Sequence, residues 1–263
     1  MDRMKQFLTD EQVRRTFARQ VGLFAAAYSP FGGHSPQPTN WLEPLEASMI
    51  ALDVACGAAH AAEQVAPHVR QVVGLDLTPD LLAIGDERLR QAGIGNVLLQ
   101  VGNAAALPFV DSSFDLVFCR SALHHFRNPR ATVREMARVC RWGGRVVVSD
   151  MVAPSPEVRE AFDDLHRLMD PSHMKVLLIE EMVKLLTSEV GPICGGELSG
   201  PTRLGIDHIL TDAGDRDLVK STLSSEINGG DLSGFDPRSE AESGGISVSF
   251  TSAIVHASKA SPL

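Results

Sequence analysis

Little in this chain marks it for secretion, for a membrane or for nucleic acid. Cysteine is sparse: four stand in 263 residues, at Cys56, Cys119, Cys140 and Cys194, with no C-x-x-C pair and no close His-Cys cluster. Such spacing fits reduced thiols better than a disulfide framework or a zinc site, and no metal is expected. Basic charge is in deficit, 24 Lys and Arg against 33 Asp and Glu, for a net charge of −9. That argues against non-specific nucleic-acid binding and against attraction to an anionic membrane, because both need clustered positive charge. No apolar run approaches the ~18 residues of a spanning helix. The opening Met1-Asp2-Arg3-Met4-Lys5 stays polar, without the apolar core of a signal peptide. No internal repeat is present. The expectation is a soluble, cytoplasmic protein with no membrane insertion.

What is present reads as globular. Hydrophobic residues make 44% of the chain and charged residues 22%, an ordinary balance, and the length suits one large domain or one domain with a cap. Val13, Phe17, Val21 and Phe24 recur at helical spacing over 9–28, behind Thr9 and Asp10 as cap residues. A loop rich in Gly and Pro follows over 29–39.

From Met49 onward strand and helix alternate. Short apolar strands are expected at 49–54, 72–76, 96–101, 114–119 and 145–149. Helices fill 58–66, 79–93 (behind Thr78-Pro79) and 129–140 (capped by Asn128, stopped by Gly143-Gly144). Arg127, Arg130, Arg134, Arg138 and Arg141 read as a solvated helix face. Alternation of this kind requires crossovers, and hence a mostly parallel sheet covered on both faces. Beyond Val152 helices are expected at about 156–169, 179–188 and 215–227, a link at 191–201, strands at 206–210 and 246–256, and a loop at 228–245.

In an open parallel sheet, ligands bind at the carboxyl ends of the strands, where strand order reverses. The turn Asp53-Val54-Ala55-Cys56-Gly57-Ala58-Ala59-His60 therefore comes first. Gly57 admits close backbone approach. Asp76 ends the second strand 19 positions later, near the spacing of ~20 for an acid that takes ribose hydroxyls. Together they suggest an adenosine-containing ligand. A G-x-G-x-x-G turn is absent, which disfavours a pyrophosphate-bearing dinucleotide; Gly57 alone would be no more than a tight turn.

Six segments in order resemble the class I S-adenosylmethionine-dependent methyltransferases, especially the ubiquinone/menaquinone-biosynthesis-like group. They are Leu52-Asp53-Val54-Ala55-Cys56-Gly57, Val73-Gly74-Leu75-Asp76-Leu77-Thr78-Pro79, and Gly102-Asn103 through Leu107-Pro108-Phe109. The others are Ser113-Phe114-Asp115-Leu116-Val117, Leu123-His124-His125-Phe126 and Gly143-Gly144-Arg145-Val146-Val147-Val148. The resemblance implies a doubly wound, Rossmann-like α/β fold: a mostly parallel seven-stranded sheet, helices on both faces and a helical cap. It divides the chain into an N-terminal helical lid (1–48), a cofactor-binding core (49–152), and capping helices with sheet-completing strands (153–263).

By the same resemblance the cofactor is S-adenosyl-L-methionine. Asp53, Cys56, Gly57 and Ala58 would line its methionine and ribose part. Asp76 would take the ribose hydroxyls, and Leu77 would pack on the adenine. Asn103 and Ala104 would meet the adenine edge, and Cys119, Arg120 and Ser121 would face the methionine end. Tyr28 could close over the site. Two positions depart from the family pattern. Ala59 replaces a usual glycine, at a cost of order 1 kcal/mol if φ is positive there. Asn103 replaces a usual aspartate, keeping an acceptor and adding a donor.

The expected partner is a small-molecule methyl acceptor, and a homodimer is compatible with the reading. His124 and His125, just past the fourth strand, are the candidate bases or substrate-orienting groups; the plainer alternative is a packed histidine on the rim. Asp150 and His173 are candidate substrate contacts, against a solvated or capping carboxylate and a structural histidine. Two rivals remain: a cyclase-like protein that binds the cofactor without methylating, and a regulatory subunit that has lost tight binding.

Overall fold

In a computed structural model, residues 9–19, 39–210, 214–240 and 244–260 are described. The elements run α1 (Asp10–Arg19), β1 (Ile50–Val54), α2 (His60–Val65), β2 (Gln71–Asp76), α3 (Pro79–Gln91), β3 (Val97–Val101) and β4 (Phe114–Arg120). They continue with α4 (Pro129–Val139), β5 (Cys140–Val152), α5 (Arg159–Met169), α6 (Ile179–Glu189) and β6 (Ile193–Gly205). Last come α7 (Arg216–Ile227), β7 (Arg238–Ser239) and β8 (Ile246–Ser258).

The strands join in the order β3-β2-β1-β4-β5-β8-β6, with the two-residue β7 on β8, so a seven-strand path carries a short eighth. Neighbours among β1 to β5 are parallel, whereas β8 runs antiparallel between β5 and β6. Strand order reverses at β1, which lies between β2 and β4, so the loops after β1 and β4 flank the crevice where such sheets hold ligands.

Side chains alternate across the sheet. Leu52, Val54, Val117, Cys119, Val146 and Val148 point to one face, beneath Val133 and Met136 of α4 and Met182 and Leu186 of α6. Ala51, Leu116, Phe118 and Val147 point to the other, beneath Ala61, Ala62 and Val65 of α2, with Trp41 and Leu42. A third cluster joins Phe162, Leu165 and Met169 of α5 to Val219 and Leu223 of α7, Phe235 and Val248. Burying each large apolar side chain contributes roughly 1.5–3 kcal/mol.

Three expectations need correction. The 191–201 link is the start of β6, paired along β8 with irregularities at Ile193/Gly195 and Ser199/Thr202. An edge strand bonds on one side only and tolerates a proline at a bulge, so its composition resembles a loop. The strand expected at 206–210 is a 3-10 turn over Ile206–His208; Ile206, Ile209 and Leu210 are buried together, at helical rather than alternate spacing. Gly143-Gly144 does not stop α4, because Cys140 is already extended at ψ 135. Gly143 adopts φ 77 inside the long β5, where the register against β4 shifts between Phe114 and Leu116. The arginine face of α4 is exposed but paired: Arg130 and Arg134 both reach Glu189 of α6.

Candidate active site

The turn after β1 is wound from left-handed residues, with φ of 58° at Ala55, 54° at Gly57 and 60° at Ala59. Two of the three carry a Cβ, so the turn stores strain of about 1–2 kcal/mol per alanine. The Ala59 departure therefore falls at a position that does need positive φ. At Gly57 a Cβ would meet nothing within 4 Å, so open space lies beside this backbone. The backbone N–H of Gly57 donates to Asp76 Oδ2 at 2.8 Å, and that of Thr78 donates to Asp76 Oδ1 at 2.8 Å. Turn and carboxylate are thus one unit, and the Thr78 hydroxyl and the Leu77 N–H also donate to this carboxylate.

α3 braces this unit. Gly85 lies so close that a Cβ there would sit 3.1 Å from the Ala58 carbonyl. Arg88 Nη1 donates to Ala58 O at 3.0 Å while its other nitrogen pairs with Glu63. Asp53 is buried and accepts from Ala62 N at 3.1 Å. Burial raises its carboxyl to about 7, against the opposing charge of Arg120 and the Ala62 hydrogen bond. Arg120 is itself pulled below its ordinary value by burial, with Asp53 opposing. Burial likewise raises Asp76, against its backbone hydrogen bonds, and lifts the Cys56 thiol well above its usual range.

Across the crevice, α1 is tied to the loop after β3. Asn103 Nδ2 donates to Asp10 Oδ2 at 2.9 Å, and Asn103 Oδ1 accepts from Ala105 N at 2.8 Å. The amide at this position has a reason: an aspartate here would face Asp10 with a like charge. At its other end α1 sets Phe17 edge-on to His125, ring centroids 5.0 Å apart.

His125 belongs to a chain of hydrogen bonds. Its Nδ1 lies 3.1 Å from Ser172 Oγ, which donates to Asp170 Oδ1 at 2.6 Å. With the hydroxyl proton given to Asp170, Ser172 accepts from His125 Nδ1–H, which leaves the lone pair on Nε2. Burial and the neighbouring His124 hold His125 down at about 4, so it is neutral near pH 7. His124 Nδ1 meets Asp150 Oδ1 at 2.6 Å, and its backbone N–H donates to Asp150 Oδ2 at 3.0 Å. Burial lowers His124, but the charge and hydrogen bond of Asp150 more than offset it and leave it raised.

The structure brings Asp53, Cys56, Gly57, Asp76 and Arg120 together at the β1 and β4 ends, with the half-buried Leu77 just after β2. Ser121 follows Arg120 at φ 51 and is exposed, its N–H on Ser149 O. Ala104 is buried beside the exposed Asn103. Cys119, Ala58, Asp150 and His173, all expected in the site, are buried. Cys119 is fully buried in the sheet core, because alternation turns it inward. Ala58 is buried, with its backbone carbonyl against Gly85 of α3. Asp150 is spent on His124 and Met151 N rather than turned to a substrate. His173 is 1% exposed and bonded to Asp163, the arrangement of a structural histidine. Tyr28 lies outside the described residues. Sequence reasoning missed Phe17 and Asp10 as site neighbours, and Asp163, His166, Asp170 and Ser172. One signal was available: Asp163 and His166 stand among Phe162, Leu165 and Met169 on the apolar side of α5, where unpaired polar groups are costly.

Residues 52–148 match the methyltransferase domain family. The chain is 40% identical over 131 residues to the uncharacterized methyltransferase YcgJ of Bacillus subtilis, a match covering 49% of this chain and 52% of that protein. It is 38% identical over 109 residues to the demethylmenaquinone methyltransferase of Geobacillus kaustophilus, covering 40% and 46%. The chain thus spans about half the length of these curated relatives. The crystal structure of a putative methyltransferase from Bacillus halodurans superposes with a TM-score of 0.77 at 26% identity, covering 87% of this chain and 100% of that one. The crystal structure of YcgJ gives 0.73 at 26%, covering 84% and 96%. Residues 52–148 thus match the methyltransferase domain family, and the chain shares the fold of these two solved structures.

Proposed function

We propose that the protein is an S-adenosylmethionine-dependent methyltransferase acting on a small-molecule acceptor. One observation carries this reading: the Gly57 turn and the Asp76 carboxylate are joined by a hydrogen bond at the sheet's reversal point, with open space beside Gly57. Asp76 would take the ribose hydroxyls, Leu77 the adenine face, and Asp53 the positively charged methionine end. Bound there, the cofactor supplies an electrophilic methyl group on a sulfonium.

The chain's own part is to bind, orient and move one proton. Holding an acceptor at near-attack distance is worth several kcal/mol of barrier. α1, tied to Asn103 and to His125, is the element placed to exclude water. The lone pair on His125 Nε2 can take the proton of an acceptor hydroxyl or amine, and Ser172 and Asp170 fix the ring for that task. His124 is the less accessible of the two candidates. Its Nδ1 and backbone N–H are taken by Asp150, and its carbonyl is held by the N–H groups of Met174 and Lys175 at 2.9 and 3.2 Å.

The test is to incubate the protein with S-adenosylmethionine and a broad set of small acceptors, following S-adenosylhomocysteine by mass spectrometry. Formation of it with a methylated product supports the reading. Tight cofactor binding without turnover on any acceptor would favour a non-methylating protein instead, and no binding at millimolar cofactor would remove both.

A further inference from the structure

Among the described residues, three buried histidines that the proposed proton transfer does not use lie side by side. His124 after β4, His166 on α5 and His173 beyond it are 5%, 8% and 1% exposed. One ring nitrogen from each lies within 4.8 Å of the other two. Their remaining bonds are informative. Asp150 takes the N–H at Nδ1 of His124, and Asp163 takes the N–H at Nε2 of His173, at 2.6 and 2.7 Å. Each ring then keeps a lone pair on its other nitrogen. His173 Nδ1 and His166 Nδ1 are buried with no hydrogen-bond partner, although buried nitrogens in native proteins are normally paired. The shell around His166 is apolar, with the rings of Phe162, Phe235 and Phe250 at centroid distances of 5.9, 6.1 and 6.5 Å.

We propose that His124, His166 and His173 form a three-histidine site for a divalent transition metal of the zinc class. Neutral imidazoles are ligands of that class. A carboxylate behind the ring is the usual support for a metal-bound histidine, fixing its tautomer and raising its basicity, and two of these three rings have one. Zn–N bonds of ~2.0–2.1 Å place tetrahedral ligand nitrogens roughly 3.4 Å apart, a closure that modest ring rotations supply. Three protein ligands leave a fourth position, the pattern of catalytic rather than structural zinc. The His125 ring stands 4.0 Å from that of His124, so the site adjoins the proposed methyl-transfer base. The metal proposal does not depend on what the crevice binds.

The test uses the full chain, stripped with a chelator and titrated with Co²⁺ while its visible ligand-field absorption is followed, then with Zn²⁺ as competitor. One equivalent of Co²⁺ with the spectrum of a low-coordinate nitrogen site, displaced by Zn²⁺, is expected. Asp163→Asn should weaken binding about 10–100-fold. His166→Phe, whose ring fits among the neighbouring phenylalanines, should abolish the spectrum, while H68Q, on the exposed His68, should not change it. A wild-type chain that takes up no metal overturns the proposal, with water left to fill the gap. Equal binding by wild type, Asp163→Asn and His166→Phe overturns it as well. The Asp163 variant decides the point if His166→Phe does not fold.

Discussion

The turn after β1 and the histidine group after β4 border the same edge of the sheet, yet they are built in opposite ways. The turn is made of backbone and small residues. Three left-handed positions, one glycine and two carboxylates create a surface whose function comes from shape and from N–H groups pointing at Asp76. The histidine group is made of side chains from distant elements, gathered from the turn after β4, from α5 and from the segment beyond it, and held by Asp150, Asp163 and the Asp170-Ser172 pair. The first can be specified by a short run of sequence. The second exists only after the cap has packed on the sheet. On the proposed reading, cofactor affinity lives in the first region and acceptor chemistry in the second, and substitutions should separate the two.

The largest effect belongs to His125. His125→Ala should lower methyl-transfer turnover about 10²–10⁴-fold, as loss of a general base does, with cofactor affinity unchanged by calorimetry. If affinity fell with turnover, the two regions would not be separable. Next comes the turn: Asp76→Ala removes charge-assisted hydrogen bonds worth about 1.5–3 kcal/mol each and should weaken cofactor binding at least about 10-fold by equilibrium dialysis. Unchanged affinity would take Asp76 out of the site.

Asp53 sharpens the contrast through pH. Its folded-state carboxyl is raised to about 7 from an ordinary value of 3.8. The stabilising contribution of its proton is therefore complete below about pH 4 and lost as pH rises through about 7. Thermal melts of the cofactor-free protein should decline across that window, and Asp53→Asn should flatten the decline; an identical profile in the variant would contradict the assignment. The smallest effect is expected at Ala59. Ala59→Gly relieves a left-handed Cβ but adds unfolded-state entropy, for a net gain of up to about 1 kcal/mol, read as a small rise in melting temperature.

The same contrast explains what was legible beforehand. Leu52 to Gly57 and Val73 to Pro79 carry their structure locally: an apolar strand, then a glycine or a capped proline. The first two strands, and the placing of Gly57 and Asp76 at their ends, could accordingly be read from them. β6 could not, because an edge strand full of Gly, Ser and Pro is ordered by the exposed backbone of β8 rather than by its own pattern. The direction of Cys119 was missed because a strand's last residues alternate between crevice and core. His173 and Asp150 were identified as polar residues of interest, but their partners, Asp163 and His124, lie 10 and 26 positions away. No local spacing rule reports such pairs.

The most direct measurement is a crystal structure of the protein with S-adenosylhomocysteine. The account predicts ribose hydroxyls on Asp76, the adenosyl chain passing over Gly57, and the sulfur on the side of the crevice that His125 faces. A ligand seated elsewhere, with Asp76 still bonded to protein groups alone, would contradict it.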